Sequence, residues 1–233
     1  MVDSYVALDI ETTGLSPVSD AIIEVGAVRV ENGIETARFE TFVNPKCPIP
    51  YKITDITGIT DDMVCDALAV EDIIERVLDI TRDLPLLGHN ILFDYSFIKK
   101  AALDCGMTFE RSGIDTCKIA RKLLPDIKSK SLEYLCEYFN IETRHHRALD
   151  DAVTAAAVYD RLRKISDIEN PVRQLVYRIP KKNPITSKQK SYLKSLIGRY
   201  EIQFDKDINA LTKSEASKAI DAIVSTYGIP KRV

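Results

Sequence analysis

The sequence predicts an α/β fold: a mixed sheet flanked by helices, with a small helical hairpin at the C-terminal end. Three observations carry that reading. Strand-like and helix-like apolar patterns alternate over the first 165 residues, as in a layered α/β domain. Asn32-Gly33 separates two alternating apolar runs, "AIIEVGAVRVENG" and "IETARFETFV". That dipeptide favours a two-residue hairpin turn, so the sheet has an antiparallel portion. Near the end, Thr186 to Gln189 and Thr212 to Glu215 share the spacing of a reciprocal helix cap.

The first strand is "YVALDI", followed by the hairpin of 21–43. A loop with Pro45, Pro48 and Pro50 comes next, and Thr60 is placed to cap a helix start in "ITGITDDMV". Val70, Ile73, Ile74, Val77 and Leu78 recur at helical spacing over 70–82. "PLLGHN" (85–90) reads as a short buried strand, and Phe93 to Cys105 as a helix stopped by Gly106. "GIDT" (113–116) is a further short strand, followed by helices near 116–124 and 131–139 and a long one from Ala148 to Ile165.

Residues 169–185 hold Pro171, Pro180 and Pro184 and read as a linker. In the last helices, Tyr192, Leu193, Leu196, Ile197 and Tyr200 share one side, and Ala216, Ala219, Ile220, Ile223 and Val224 another. The expected organisation is therefore a domain over 1–168, a linker over 169–185 and a basic hairpin over 186–233.

The 233 residues are 45% apolar and 29% charged, ordinary for a globular protein with a real core. Five scattered cysteines without a C-x-x-C pair argue against a disulfide frame or a zinc site. No apolar run approaches membrane-spanning length and the N-terminus lacks signal-peptide character, so a cytoplasmic location without membrane association is expected. The net charge of −3 is unevenly spread. Residues 1–168 carry 19 Lys and Arg against 29 Asp and Glu, while residues 169–233 carry 13 against 6. An acidic body beside a basic tail suits a cation site next to an element that binds a polyanion, although two solvated surfaces would read the same way.

The chemistry concentrates where strand 1 ends. Asp9 and Glu11 lie two apart on a strand, so both project to one face. Like charges that close repel unless protonated or bridged by a cation. "HNILFD" (89–94) puts Asp94 at a helix start just after a strand. "HHRALDD" (145–151) puts His146 in a loop and Asp151 on the first turn of the long helix. Each has an ordinary alternative: Asp94 as a helix cap, Asp150 and Asp151 as partners of a helix dipole, the histidines as local hydrogen-bond partners. Only convergence explains why all three histidines fall inside these motifs. Four carboxylates and no thiolate suit Mg²⁺ or Mn²⁺, and exceed what a single Mg²⁺ needs. Two ions sharing the acids form a known apparatus for phosphodiester cleavage, with His146 available to take a proton from water.

"DIETTG", "HNILFD" and "HHRALDDA" together resemble the three motifs of the DEDDh superfamily of 3′→5′ exonucleases, which have an RNase H-like fold. "FVNPKCPIP" and "ITGIT" are similar to the branch that includes the proofreading epsilon subunit of bacterial DNA polymerase III. The resemblance spans residues 3–165. It implies a 3′→5′ exonuclease using two Mg²⁺ or Mn²⁺ ions, held by Asp9, Glu11, Asp94 and Asp151, with His146 as general base. The family spacing selects His146 and Asp151 over His145 and Asp150, and Arg147 stands where the tyrosine branch has its tyrosine. Thr12, Thr13, Gly14 and Leu15 would line the 3′-terminal nucleotide, with Leu15 against the base, and His89, Asn90 and Phe93 would form the pocket wall. The implied partner is a nucleic acid with a free 3′ end, DNA favoured, with a polymerase or another protein as a possible companion. An exoribonuclease and a non-catalytic nucleic-acid binding module are the alternatives. The basic tail shows no match to the polymerase-binding segment of the epsilon subunit, and Gln174-Leu-Val-Tyr is a poor clamp-binding motif.

Overall fold

The computed structural model describes residues 2–142, 147–166, 169–178 and 184–228. His145 and His146 lie outside the described residues. Two compact units are present, Met1–Arg178 and Ile179–Val233.

In the first unit the chain runs through β1 (Tyr5–Thr12), β2 (Ile22–Glu31), β3 (Ile34–Phe42), α1 (Tyr51–Thr57), α2 (Asp61–Val64), α3 (Val70–Ile80) and β4 (Leu86–Gly88). It continues through α4 (Leu92–Asp104), β5 (Ser112–Asp115), α5 (Thr116–Leu123), α6 (Leu132–Phe139), α7 (Ala148–Ile165) and β6 (Arg173–Gln174). The six strands form one sheet in the order β3-β2-β1-β4-β5-β6. β1 pairs antiparallel with β2 and parallel with β4; β5 is parallel to β4 and antiparallel to β6. The mixed α/β sheet expected from the sequence is the one observed. Asn32 and Gly33, at φ 53° and 78°, make the tight turn between β2 and β3.

Helices cover both faces. On one, Val6, Leu8 and Ile10 of β1 pack with Ile73, Ile74 and Val77 of α3 and Tyr95 and Ile98 of α4. On the other, Tyr5 and Ala7 pack with Leu149, Ala152, Ala155 and Tyr159 of α7. The strand's alternation therefore continues from Tyr5 and Ala7 into Asp9 and Glu11, and aims the two acids at the side covered by α7.

Three local expectations are corrected. The Pro-rich stretch read as loop leads into α1, whose seven residues carry too little apolar periodicity to be legible and which begins after Pro50. Thr60 occupies the position before α2, but its side chain makes no capping bond. Within the stretch read as a linker, Arg173 and Gln174 form β6, and Leu175 is buried against Gly113, where a β-carbon would come within 2.8 Å of the leucine.

The second unit holds α8 (Ser187–Tyr200) and α9 (Lys213–Tyr227). Both expected reciprocal caps form, Thr186 with Gln189 and Thr212 with Glu215. Gln189 also donates to Lys213 O and Ser217 Oγ, each at 2.9 Å, tying the two helix starts together. Leu193, Leu196, Leu211, Ala216 and Ile223 form its core.

Candidate active site

β1, β4 and β5 are parallel, and their C-terminal ends lie along one sheet edge. Strand order runs outward in both directions from β1, to β2 and β3 on one side and β4 and β5 on the other, and such switch points form crevices at the carboxyl ends of strands. Asp9 and Glu11 stand at this point. β4 stops at Gly88 and pairs with β1 only at Val6 and Ala7. Asp94, at the start of α4, instead accepts a hydrogen bond from Ile10 N at 3.1 Å.

Asp9, Glu11 and Asp151 each present a carboxylate oxygen within 4.8 Å of the other two. Asp94 stays outside that triple but lies close enough for its charge to raise Asp9. Burial is the main cause of the Asp9 shift, followed by the charges of Asp94, Glu11, Asp151 and Glu24; together they hold its carboxyl well above the usual range. Burial first, then Asp151 and Glu24, pushes Glu11 up to about 7. Burial pushes Asp94 up to about 8, against the opposing effect of its backbone hydrogen bonds. Among the described residues no Lys or Arg pairs with Asp9 or Glu11; Arg147 is engaged with Glu24 and Glu40. Crowded, desolvated, hard oxygen donors are the donor set that Mg²⁺ or Mn²⁺ takes.

The loop after β1 is closed tightly. Thr12 Oγ1 donates to Gly14 O at 2.6 Å, and Thr13 Oγ1 accepts from Ala21 N at 2.9 Å. A β-carbon at Gly14 would come within 2.6 Å of the Asp20 carboxylate, which accepts from Ser16 N at 2.8 Å, so a larger residue would have to displace that bond. Leu15 stands out of this loop 85% exposed. His89 turns Nδ1 to Thr116 Oγ1 at 2.9 Å, and burial lowers its pKa against the opposing charge of Asp115. Asn90 adopts φ 70° and donates its N–H to Asp115 Oδ1 at 3.2 Å. Phe93 packs against Phe97, ring centroids 5.0 Å apart.

Two residues that sequence reading did not single out support this edge. Asp115 caps α5 by accepting from Lys118 N and also holds the Asn90 turn. Glu24 is fully buried on β2 opposite Glu11 and is bound by Arg147. The one trace of Glu24 in the sequence is an acid within an otherwise apolar strand, "IIEVGAV", a pattern that an exposed position also gives.

Residues 6–159 match the Exonuclease family model, RNase_T. The chain belongs to that family. The chain is 42% identical over 166 residues to the PolC-type DNA polymerase III of Caldanaerobacter subterraneus subsp. tengcongensis, and 41% over 169 residues to that of Bacillus subtilis. The matches cover 70% and 71% of the chain but only 12% of each relative. Among solved structures, Exonuclease X in complex with 5′ overhanging duplex DNA aligns with TM-score 0.57 and 27% identity, over 71% of this chain and 94% of that one. The nuclease domain of 3′hExo, a DEDDh family member bound to rAMP, shares the fold at TM-score 0.61 and 19% identity, over 76% of this chain and 98% of that one. The resemblance and the RNase H-like fold class expected from the motifs are both borne out.

Proposed function

We propose that this exonuclease removes nucleoside 5′-monophosphates from DNA 3′ ends, in proofreading or repair beside a polymerase, in the cytoplasm. The observation that carries the reading is the meeting of Asp9, Glu11 and Asp151 within 4.8 Å at the end of β1. Asp9, Glu11 and Asp151, with Asp94 beside them, would hold two Mg²⁺ or Mn²⁺ ions. Ions bound there would activate a water and stabilise the charge of an in-line displacement at phosphorus. Leu15 stacks against the terminal base, while the Thr12–Gly14 turn, Asn90 and Phe93 shape the pocket. His146, the residue before Arg147, takes the proton of the attacking water through its imidazole. His89, with Nδ1 held by Thr116, supports the pocket wall instead of exchanging protons.

DNA is favoured over RNA because the relatives at 41–42% identity are named as DNA polymerases, whereas the neighbour bound to rAMP shares 19%. The test is parallel digestion of matched DNA and RNA oligonucleotides, with free and blocked 3′ ends, in Mg²⁺. The expected result is stepwise shortening of unblocked DNA, lost by at least about a hundredfold in Asp9→Asn, since even residues behind the ligands account for ten- to a hundredfold. Faster digestion of RNA would replace the DNA reading, and full activity of Asp9→Asn would remove the site.

A further inference from the structure

We infer that Glu24, Arg147 and Gly26 form a seat that positions the first turn of α7, and through it sets Asp151 beside Asp9 and Glu11. The inference deepens the exonuclease reading and rests on it for its kinetic test.

Glu24 is the anomaly that needs an account. It is fully buried, and its charge adds to the repulsion already raising Asp9 and Glu11. A further acid here works against the site unless its charge is used elsewhere. It is used on α7. Arg147 Nε and Nη2 donate to Glu24 Oε1 at 2.9 and 2.6 Å, and Ala148 N donates to Oε2 at 3.0 Å. Arg147 is the capping position of α7, yet its own side chain makes no cap bond to that helix. Glu24, from 124 residues away, supplies the acceptor and places a negative charge at the positive end of the helix.

Gly26 shares the Glu24 face of β2, and its strand partner is Asp9. A β-carbon there would lie 2.2 Å from Leu149 N, 2.3 Å from Ala148 C and 2.4 Å from Leu149 Cα. The helix backbone thus rests directly on the strand backbone. Arg147 also reaches Glu40 of β3 at 3.3 Å and lies over the Phe42 ring at 4.9 Å. One turn on, Asp151 N donates to Arg147 O at 2.9 Å. The position of Asp151 is therefore set by contacts to β2 and β3, not by the metal-binding acids alone. Glu24 and Arg147 are positioning residues.

The experiment compares wild type, Glu24→Gln, Arg147→Ala and the double variant, measuring kcat and KM for 3′-end digestion, Mn²⁺ affinity by calorimetry, and urea unfolding. Glutamine keeps the shape and an acceptor for Ala148 N but loses the charge that holds the guanidinium. The expected result for Glu24→Gln is a ten- to hundredfold loss in kcat with KM within about threefold, and Mn²⁺ affinity about tenfold weaker, as for residues that orient metal ligands. The double variant should be more stable than Arg147→Ala, since no unpaired buried carboxylate remains, yet no more active. Should Glu24→Gln fail to fold, Arg147→Lys, which keeps the charge and loses the fork, reads the same quantities. Folded variants with wild-type kcat and wild-type Mn²⁺ affinity would overturn the inference. If the wild-type chain digested nothing, the exonuclease reading would fall, and the Mn²⁺ affinities would still decide the seat.

Discussion

The N-termini of α7 and of the two helices in the second unit meet the same need by opposite means. α8 and α9 satisfy their first N–H groups from within four residues, through Thr186 with Gln189 and Thr212 with Glu215. α7 satisfies Ala148 N from Glu24, on a strand 124 residues earlier. A local cap fixes only the helix it belongs to. A remote cap fixes the helix relative to a sheet, and the structure uses it where a side chain of that helix must meet side chains of that sheet. Local caps suffice where the helices pack on each other.

Breaking each kind of cap tests the contrast. Arg147→Ala leaves Glu24 buried without its cation. Removing one partner of a fully buried pair costs about 3–5 kcal/mol, and because Arg147 is 40% exposed the expected loss is roughly 2–4 kcal/mol by urea unfolding. Thr212→Ala or Thr186→Ala should cost only about 1 kcal/mol of hairpin stability, and should leave digestion unchanged. Equal losses would mean the remote cap anchors nothing beyond its own bonds. The smallest expected effect concerns α8, which carries Lys188, Lys190, Lys194 and Arg199 and no acid. If these cations meet phosphates, replacing Lys188, Lys194 and Arg199 by Gln in the full chain should lower the slope of log affinity against log salt. The drop should be up to about 0.7–0.9 for each phosphate no longer neutralised, and an unchanged slope would leave the helix as a solvated surface.

The same contrast explains what could be read from the sequence. The two capping boxes, the Asn32-Gly33 turn, the long helix from Ala148 and the strand carrying Asp9 and Glu11 were legible because each is written in neighbouring residues. Asp94 and Asp151 were legible as candidates because each sits at an element start within a compact motif. The family resemblance joined them; the geometry then placed Asp151 with Asp9 and Glu11, and turned one oxygen of Asp94 to the β1 backbone. Glu24 was illegible: its partner is distant in the chain, and a single acid in an apolar strand looks like an exposed position. Asp115 was missed for a similar reason, since its second duty, holding Asn90, crosses 25 residues. The edge strand β6, two residues long with both exposed, carries no periodicity to read, and its place is secured by the neighbouring Leu175.

The central claim is that the crowded acids at the end of β1 are held together by divalent cations. Its most direct test is the stability of the metal-free protein against pH, with and without Mn²⁺. Glu11 rises from an ordinary 4.5 to about 7 and Asp94 from 3.8 to about 8, so the folded state holds these protons more tightly than the unfolded chain. Their contribution is therefore complete below about pH 4, declines as pH rises through the window between the ordinary and the raised values, and levels off above about 8. The account predicts that decline without metal, largely reversed by millimolar Mn²⁺ at pH 8, with the Mn²⁺ effect lost in Asp9→Asn. A stability equal at pH 5 and pH 8, and unmoved by Mn²⁺, would contradict it.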